Sequence, residues 1–315
     1  MASPFLAVDW GTTNLRAWVI GADGSVGARR EFPLGVGRLA AGEAARRFAD
    51  TVRPKMGAQD LPALMCGMIG SNLGWMPTPY LDCPVSITRL GDHLARAEGP
   101  GPPIWIVPGL RCQRPDGGPD VMRGEETHVL GWAAADKARL HGEHLICNPG
   151  THAKWVRMVD GRVEGFVSSM TGELFDVLRK HSVLQSGGAD DDEAAFEQGI
   201  AAAGDGGALA SRLFTARARV VGGDMPPERV TSYLSGLLIG AEIAAVPRLL
   251  GVGPQTPVAV IGDLRLAGRY LRTLQLAGYA ASLHDGEAAA LEGLKALAGR
   301  LALAGEASAK GALHR

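Results

Sequence analysis

An α/β fold built from two related domains is what this sequence predicts, and three observations carry the prediction. Short apolar runs alternate with longer helical stretches along the whole chain. The length, 315 residues, gives room for two domains with a core each. A third observation is an internal echo: Gly11-Thr12-Thr13-Asn14-Leu15-Arg16-Ala17-Trp18-Val19 followed by Asp23-Gly24 returns as Gly150-Thr151-His152-Ala153-Lys154-Trp155-Val156 followed by Asp160-Gly161. Each copy sets a Gly-Thr turn between two strands and an Asp-Gly hairpin shortly after, so two similar halves facing one another are expected.

Taken in order, residues 5–10 and 15–20 read as strands joined by a tight turn, and Asp23-Gly24 turns the chain into a third strand near 25–32. Helical periodicity covers 43–52, and strands follow at 63–69 and 104–107. The Pro/Gly-rich stretch 108–119 reads as the crossing between domains, which sets the boundary between 1–118 and 119–315. In the second half a helix at 125–140 precedes a strand at 145–148 and a hairpin of 155–159 and 162–167. Helices are expected at 172–184, 191–203, 207–218 and 229–250. Strand 258–261, helix 264–277, strand 280–283 and helix 287–303 complete the chain, with a frayed tail after Gly305 and the last helix placed to pack back on the first domain.

Composition excludes several classes. Apolar residues make up 46% and charged residues 21%, a globular balance. A net charge of −1 with no basic run gives no reason to expect a nucleic-acid partner. Apolar stretches are broken by Gly, Pro or charge, so no membrane partner is expected, and the N-terminus reads directly as a strand; a cytoplasmic location follows. The one macromolecular partnership left open is a homodimer. Cys66, Cys83, Cys112 and Cys147 lack C-x-x-C spacing and read as reduced thiols. The run Asp190-Asp191-Asp192-Glu193 reads as a favourable helix start before it reads as a metal site. His141, His144 and His181 have no identifiable partners.

A turn rich in Gly and Thr aims backbone N–H groups and hydroxyls at one point, which suits phosphate oxygens. Two such loops, one per domain, can grip a polyphosphate from both sides, and Asp9 at the end of the first strand is placed to hold Mg²⁺ through water. Taken singly, either loop could be an ordinary hairpin whose Thr residues cap backbone groups. Neither a P-loop, a G-x-S-x-G elbow nor H-E-x-x-H occurs. Gly35-Val36-Gly37 begins a partial dinucleotide motif, but no strand leads from it into a helix.

Asp9-Trp10-Gly11-Thr12-Thr13-Asn14 resembles the first phosphate loop of the sugar kinase, Hsp70 and actin superfamily. Segments 67–75 (Gly-Met-Ile-Gly-Ser-Asn-Leu-Gly-Trp), 121–127 (Val-Met-Arg-Gly-Glu-Glu-Thr), 149–155 (Pro-Gly-Thr-His-Ala-Lys-Trp), 170–174 (Met-Thr-Gly-Glu-Leu) and 233–242 (Tyr-Leu-Ser-Gly-Leu-Leu-Ile-Gly-Ala-Glu) narrow the resemblance to the 2-dehydro-3-deoxygalactonokinase family, over about residues 5 to 295. His128 stands where that family more often has Gln. The resemblance implies two ribonuclease-H-like (actin/hexokinase-type) domains with mixed sheets flanked by helices. It implies ATP-dependent phosphorylation of 2-dehydro-3-deoxy-D-galactonate at its terminal hydroxyl, a step of galactonate catabolism, with ATP and Mg²⁺ as cofactors and a small sugar acid as partner.

The superfamily's Gly-acid pair falls on Gly124-Glu125, which makes Glu125 the expected base, with Glu126 its rival. Gly11, Thr12, Thr13, Asn14, Arg16, Gly150, Thr151 and Lys154 are the expected phosphate contacts, Gly262 the adenine-side contact and Asp9 the metal residue. Arg123 is expected on the sugar acid's carboxylate, Ser71 and Asn72 on its hydroxyls, with Trp75 and Tyr80 as walls. Two other readings stand beside this one: a kinase for another small sugar acid or polyol, and a nucleotide-dependent switch acting on a protein partner.

Overall fold

The computed structural model describes residues 3–99, 101–185, 188–189, 191–204 and 207–312, the segment 301–312 by its backbone. The first half supplies β1 (Phe5–Trp10), β2 (Leu15–Ile20), β3 (Val26–Phe32), α1 (Glu43–Arg47), α2 (Arg53–Met56) and β4 (Ala63–Cys66). Then come β5 (Tyr80–Asp82), β6 (Val85–Ser86), β7 (Ala95–Ala97), β8 (Ile104–Ile106), β9 (Gly109–Gln113) and β10 (Pro119–Met122). The second half runs α3 (Glu125–Ala135), β11 (Glu143–Asn148), β12 (Ala153–Val159), β13 (Arg162–Ser169), α4 (Thr171–His181), α5 (Glu193–Ala203), α6 (Leu209–Val221) and α7 (Val230–Leu249). It closes with β14 (Val258–Gly262), α8 (Leu264–Leu276), β15 (Ala281–Asp285) and α9 (Gly286–Ala312).

Two six-stranded mixed sheets bear out the predicted fold class. Their orders are β3-β2-β1-β4-β8-β7 and β15-β14-β11-β12-β13-β6. In each, an antiparallel hairpin pair leads into parallel neighbours: β1 pairs with β2 and with parallel β4, as β11 pairs with β12 and with parallel β14. The internal echo seen in the sequence is therefore a repeat of topology. β1 and β14 are interior strands of their sheets, buried along nearly their whole length, which is why they are apolar without alternation.

Between the sheets lie α3 and α9. Val129 and Ala133 of α3, with Leu294 and Leu297 of α9, meet Ala7 and Leu64 of one sheet and Ile146, Val156 and Ile261 of the other in one core. The two helices approach through glycine: a Cβ on Gly131 would fall 1.8 Å from the Ala289 carbonyl oxygen. α9 also touches β1, β4, β14 and β15, so it spans both halves.

Several expectations need correction. The strand predicted at 63–69 stops at Cys66, and Met68–Gly70 is a 3₁₀ turn, because Gly67 takes φ +92° and turns the chain. The helix predicted at 43–52 is α1 followed by a π-type turn over Phe48–Val52. The stretch 108–119 is not a plain crossing: β9 and β10 pair antiparallel and join β5 in a three-stranded sheet. β6 meanwhile pairs with β13 of the second sheet. The last helix runs to Ala312 where fraying was expected from Gly305, and residues 313–315 lie outside the described residues, as does Asp190 of the acidic run.

A further correction concerns hydropathy. Pro227–Leu249 is long and apolar enough to cross a membrane, with a mean hydropathy of 1.4, but 89% of that window is buried inside the fold. It is apolar on every side because other elements surround it, which is how a core helix reads. All four cysteines are free, as expected.

Candidate active site

The β1–β2 hairpin sets Asp9 opposite Arg16, and residues 11–14 connect the strands. The loop's carbonyls are occupied from beneath. Gly35 N–H donates to Thr13 O, Val36 N–H to Gly11 O and Gly37 N–H to Thr12 O, each at 3.0 Å. A Cβ on Gly35 would sit 2.1 Å from the Thr13 carbonyl carbon, so only glycine lets this strap press so closely. Gly35-Val36-Gly37, set aside as a weak motif in the sequence, is thus a buttress. Thr12 and Thr13 remain exposed on the other side.

The second loop, residues 149–152, connects β11 and β12 and is supported in the same way. Gly172, at the start of α4, would carry a Cβ 2.3 Å from the Gly150 carbonyl oxygen, and Glu173 N–H donates to Thr151 O at 2.9 Å. The segment 170–174 is therefore the counterpart of 35–37. His152 Nε2 lies 2.6 Å from Glu173 Oε2 on the rim. Lys154 follows the loop on β12, opposite Asn148, and is buried.

A cavity of about 410 Å³ opens where the strand ends of the second sheet meet α3, α9 and the first hairpin. Arg16 comes from the first hairpin, Gly150 and His152 from the second loop, and Glu125 and His128 from α3. Asn148, Gly262, Asp263, Asp285, Gly286 and Glu287 complete the wall with Ile261 and Leu264. The structure thus brings together four of the expected residues: Arg16, Glu125, Gly150 and Gly262. The backbone of 11–14, Thr151 and Lys154 are not part of this lining. Asn148, Asp263 and Asp285 were not singled out from sequence.

Three lining residues keep a buried polar atom with no hydrogen-bond partner: Arg16 Nε, Glu125 Oε2 and Asn148 Oδ1. Native structures leave few such atoms, and three around one cavity mark it as a place built for polar ligand atoms. The other acids on the wall are engaged. Asp263 accepts from the Arg265 and Leu266 amides and Asp285 from Ala288, each capping a helix. Glu287 binds Arg29 through both oxygens, and that bond, more than any other contact, holds its carboxyl below the usual range. With Glu287 paired to Arg29, the lining still sets Glu125, Asp263 and Asp285 against the one guanidinium of Arg16.

Asp9 stands beside this cavity. Its carboxylate lies 3.6 Å from Arg16 and receives the Cys66 thiol at 3.8 Å. Gly67 separates it from α3: a Cβ there would lie 3.2 Å from Asp9 Oδ1, and a Cβ on Gly124 would lie 3.3 Å from Gly67 Cα. Glycines at 67 and 124 therefore let the end of β4 and the start of α3 come together, with Asp9 and Glu125 on either side. At φ +92° and +112° both also hold backbone angles that side chains avoid. No group of three or more metal-ligating side chains occurs among the described residues. One carboxylate beside a cavity lined by polar atoms without hydrogen-bond partners fits a magnesium ion that keeps most of its waters.

The expected sugar-side residues have mixed surroundings. Arg123 is buried, bonds Thr78 through Oγ1 and through O at 2.9 Å, and stacks 4.3 Å over the Tyr80 ring, leaving Nε without a partner. Ser71 is buried, donates to Met68 O at 2.7 Å and accepts from the Leu73 amide. Asn72 is exposed. Trp75 is taken up by packing: its ring meets Phe48 edge-on at 5.9 Å and its N–H donates to Glu98 O.

Beyond Gly150 the wall continues into a small, mostly apolar cleft of about 50 Å³ formed by Phe175, Leu238, Ile239, Leu266 and Tyr270, with Ser235 and Thr171 at its edge. Under it, buried Glu242 accepts from Trp155 Nε1 at 2.5 Å and from Tyr270 Oη at 3.0 Å, fixing β12, α7 and α8 to one another.

Comparison with known proteins gives one consistent result. The family described as 2-keto-3-deoxy-galactonokinase matches residues 9–297. The chain is 36% identical over 304 residues to the 2-dehydro-3-deoxygalactonokinase of Escherichia coli (strain K12), covering 95% of this chain and 98% of that one. It is 38% identical over 304 residues to a Rhizobium meliloti (strain 1021) protein named "Probable 2-dehydro-3-deoxygalactonokinase DgoK1", covering 94% and 97%. The crystal structure of a Sinorhizobium meliloti protein assigned to the same activity superposes with a TM-score of 0.84 at 35% identity, over 93% of this chain and 98% of that one.

Proposed function

The chain belongs to the 2-keto-3-deoxy-galactonokinase family, and from that membership we propose that it transfers the γ-phosphoryl group of ATP to the terminal hydroxyl of 2-dehydro-3-deoxy-D-galactonate. The observation that carries the reading is a cavity with three buried polar atoms that lack a hydrogen-bond partner, lying between two buttressed Gly-Thr hairpins. Phosphoryl transfer asks for positioning and charge neutralisation more than for covalent chemistry, and that is what such a cavity supplies.

In this reading the amides and hydroxyls of Gly11, Thr12, Thr13, Asn14, Gly150 and Thr151 face the phosphates, with Arg16 alongside. Gly262 and the apolar cleft of Phe175, Leu238 and Leu266 take the adenine. Asp9 holds Mg²⁺, which draws charge from the phosphate oxygens. Glu125, with one oxygen free of protein partners, takes the proton of the attacking hydroxyl as the new O–P bond forms and ADP departs. Ser71, Asn72, Tyr80 and Arg123 line the acceptor side, Trp75 supporting them from behind. Residues 1–118 and 119–315 act as two lobes that close on the ligands and exclude water. The setting is the cytoplasm, where ATP is the phosphoryl donor.

The test is ATP turnover with a panel of sugar acids and polyols, with the product followed by ³¹P NMR. A phosphate monoester formed with 2-dehydro-3-deoxy-D-galactonate and little ATP loss without acceptor is the expected result. Slow ATP hydrolysis indifferent to every acceptor overturns the reading in favour of a nucleotide switch.

A further inference from the structure

The two loop-bearing hairpins carry a cation at the same register position, but with different neighbours. Arg16 lies opposite Asp9, 3.6 Å from its carboxylate. Lys154 lies opposite Asn148 on one side and Ser168 on the other, an amide and a hydroxyl that cannot neutralise it. Lys154 is only 7% exposed and, among the described residues, has no ion pair. A cation held at the edge of the interior with no counter-ion of its own is available to an anion that enters the site.

Its position says which anion. Along β12, Trp155 belongs to the core on the outer face of the sheet, while Val156 and Met158 belong to the core shared with α3 and α9. Strand alternation therefore turns Lys154 toward α3, on the face that carries Asn148 and its neighbour His128. The nucleotide-side wall of the cavity comes from β11, β14 and β15, on one flank of β12, and Lys154 is not part of it. On the other flank Ser168 of β13 donates to Asp120 of β10 at 2.6 Å, and β10 runs directly into Arg123, Gly124 and Glu125. Through Ser168 and Asp120 the flank of Lys154 is therefore tied to the strand that leads into the start of α3. The other cation expected there, Arg123, is held by Thr78 and stacked on Tyr80, with only its Nε left without a partner.

We propose that Lys154 anchors the carboxylate of the sugar-acid substrate, and so makes the enzyme select acids over neutral polyols of the same length. The proposal rests on the kinase reading above and departs from the sequence expectation that Lys154 serves the phosphates. Both candidate partners are anionic oxygens, and kinetics separate them.

The experiment compares wild type, Lys154→Met and Lys154→Arg, each checked for folding by thermal melting. KM is measured for the sugar acid, for its neutral analogue lacking the carboxylate, and for ATP. In Lys154→Met the ratio of kcat/KM for acid over neutral analogue should fall by about 100-fold, mostly through KM for the acid, with KM for ATP within about twofold and partial recovery in Lys154→Arg. A rise in KM for ATP with the acid-over-neutral ratio intact overturns the proposal and returns Lys154 to the phosphates. Calorimetry of wild type with the two acceptors, without nucleotide, gives a second reading independent of both variants and of turnover. Equal affinity for acid and neutral analogue overturns the proposal even if the protein is a kinase. Acid-selective binding without any phosphoryl transfer upholds the anchor while the kinase reading fails.

Discussion

Glu126 turns its carboxylate back on the amide of Gly124, with Oε2 accepting at 2.6 Å, and the adjacent Thr127 hydroxyl donates to its other oxygen. This bond gives the two adjacent acids different surroundings. Glu126 is fully buried and occupied in holding the first turn of α3, whereas Glu125 lines the cavity with Oε2 unpartnered. Helical neighbours point about 100° apart, so one acid facing the cavity requires the other to face away.

Replacing Glu125 with Gln should therefore lower kcat by about 10²–10⁴-fold while leaving nucleotide affinity close to wild type. Glu126→Gln keeps an oxygen for the Gly124 amide and should retain most of kcat. Sugar-acid-dependent ADP release and nucleotide titration of both variants give the comparison. A Glu126→Gln protein that is as inactive as Glu125→Gln would reverse the assignment.

Glu126 also makes stability depend on pH. Burial, followed by the charge of Glu125, pushes its carboxyl from the ordinary 4.5 up to about 8. Between those values the folded chain holds a proton that the unfolded chain has released. Stability from this group is complete at lower pH and is lost as pH rises through the upper value. Melting curves from about pH 5 to about pH 8.5 should show the wild-type Tm falling relative to that of Glu126→Gln, whose side chain has no proton to lose. A gap between the two that does not change with pH contradicts this account.

What the sequence could show follows from how local each signal is. The hairpins around 11–14 and 150–152 were legible because strand runs, Gly-Thr turns and Asp-Gly pairs all lie within a few residues of each other. Asp263 and Asp285 were not, because they reach the cavity only when β14 and β15 align in parallel beside β11, more than 100 residues after Asn148 in the chain. β9 and β10 were hidden by the Pro and Gly residues around them, which signal a linker where the fold uses a short sheet. The membrane-like length of α7 was missed because no period distinguishes a helix buried on all sides. Trp75 shows how an aromatic beside a promising loop also packs inward, its ring edge-on to Phe48.

The buttresses beneath both loops can be tested by adding one carbon. Gly172→Ala would drive a methyl into the Gly150 carbonyl, and Gly35→Ala would do the same to the Thr12–Thr13 backbone. Each should cost about 1–3 kcal/mol in stability and raise KM for ATP by displacing the loop, with a smaller effect on KM for the sugar acid. Gly268→Ala is the control: it lies within α8 with nothing within 4 Å of the added carbon, so helix propensity should make it neutral or stabilising by up to about 1 kcal/mol. Wild-type KM for ATP in Gly172→Ala would mean that the second loop does not touch the nucleotide.

The acid before the first loop offers a sharper test, because two roles are open to it. Asp9 could serve mainly to neutralise Arg16, 3.6 Å away, or mainly to hold the magnesium ion that accompanies ATP. The first role predicts that Asp9→Asn frees Arg16 for the phosphates and tightens nucleotide binding without changing the demand for metal. The second predicts that the magnesium concentration giving half-maximal rate rises by about tenfold or more, and that kcat falls at saturating ATP, since one charged ligand to the hydrated ion is gone. The cavity's excess of carboxylates favours the second role, because without an added cation an ATP triphosphate would meet Glu125, Asp263 and Asp285, with Arg16 as the lining's one arginine and Glu287 already paired to Arg29. Magnesium titrations of wild type and Asp9→Asn at fixed ATP decide between them, and overlapping titration curves would leave Asp9 as the partner of Arg16 alone.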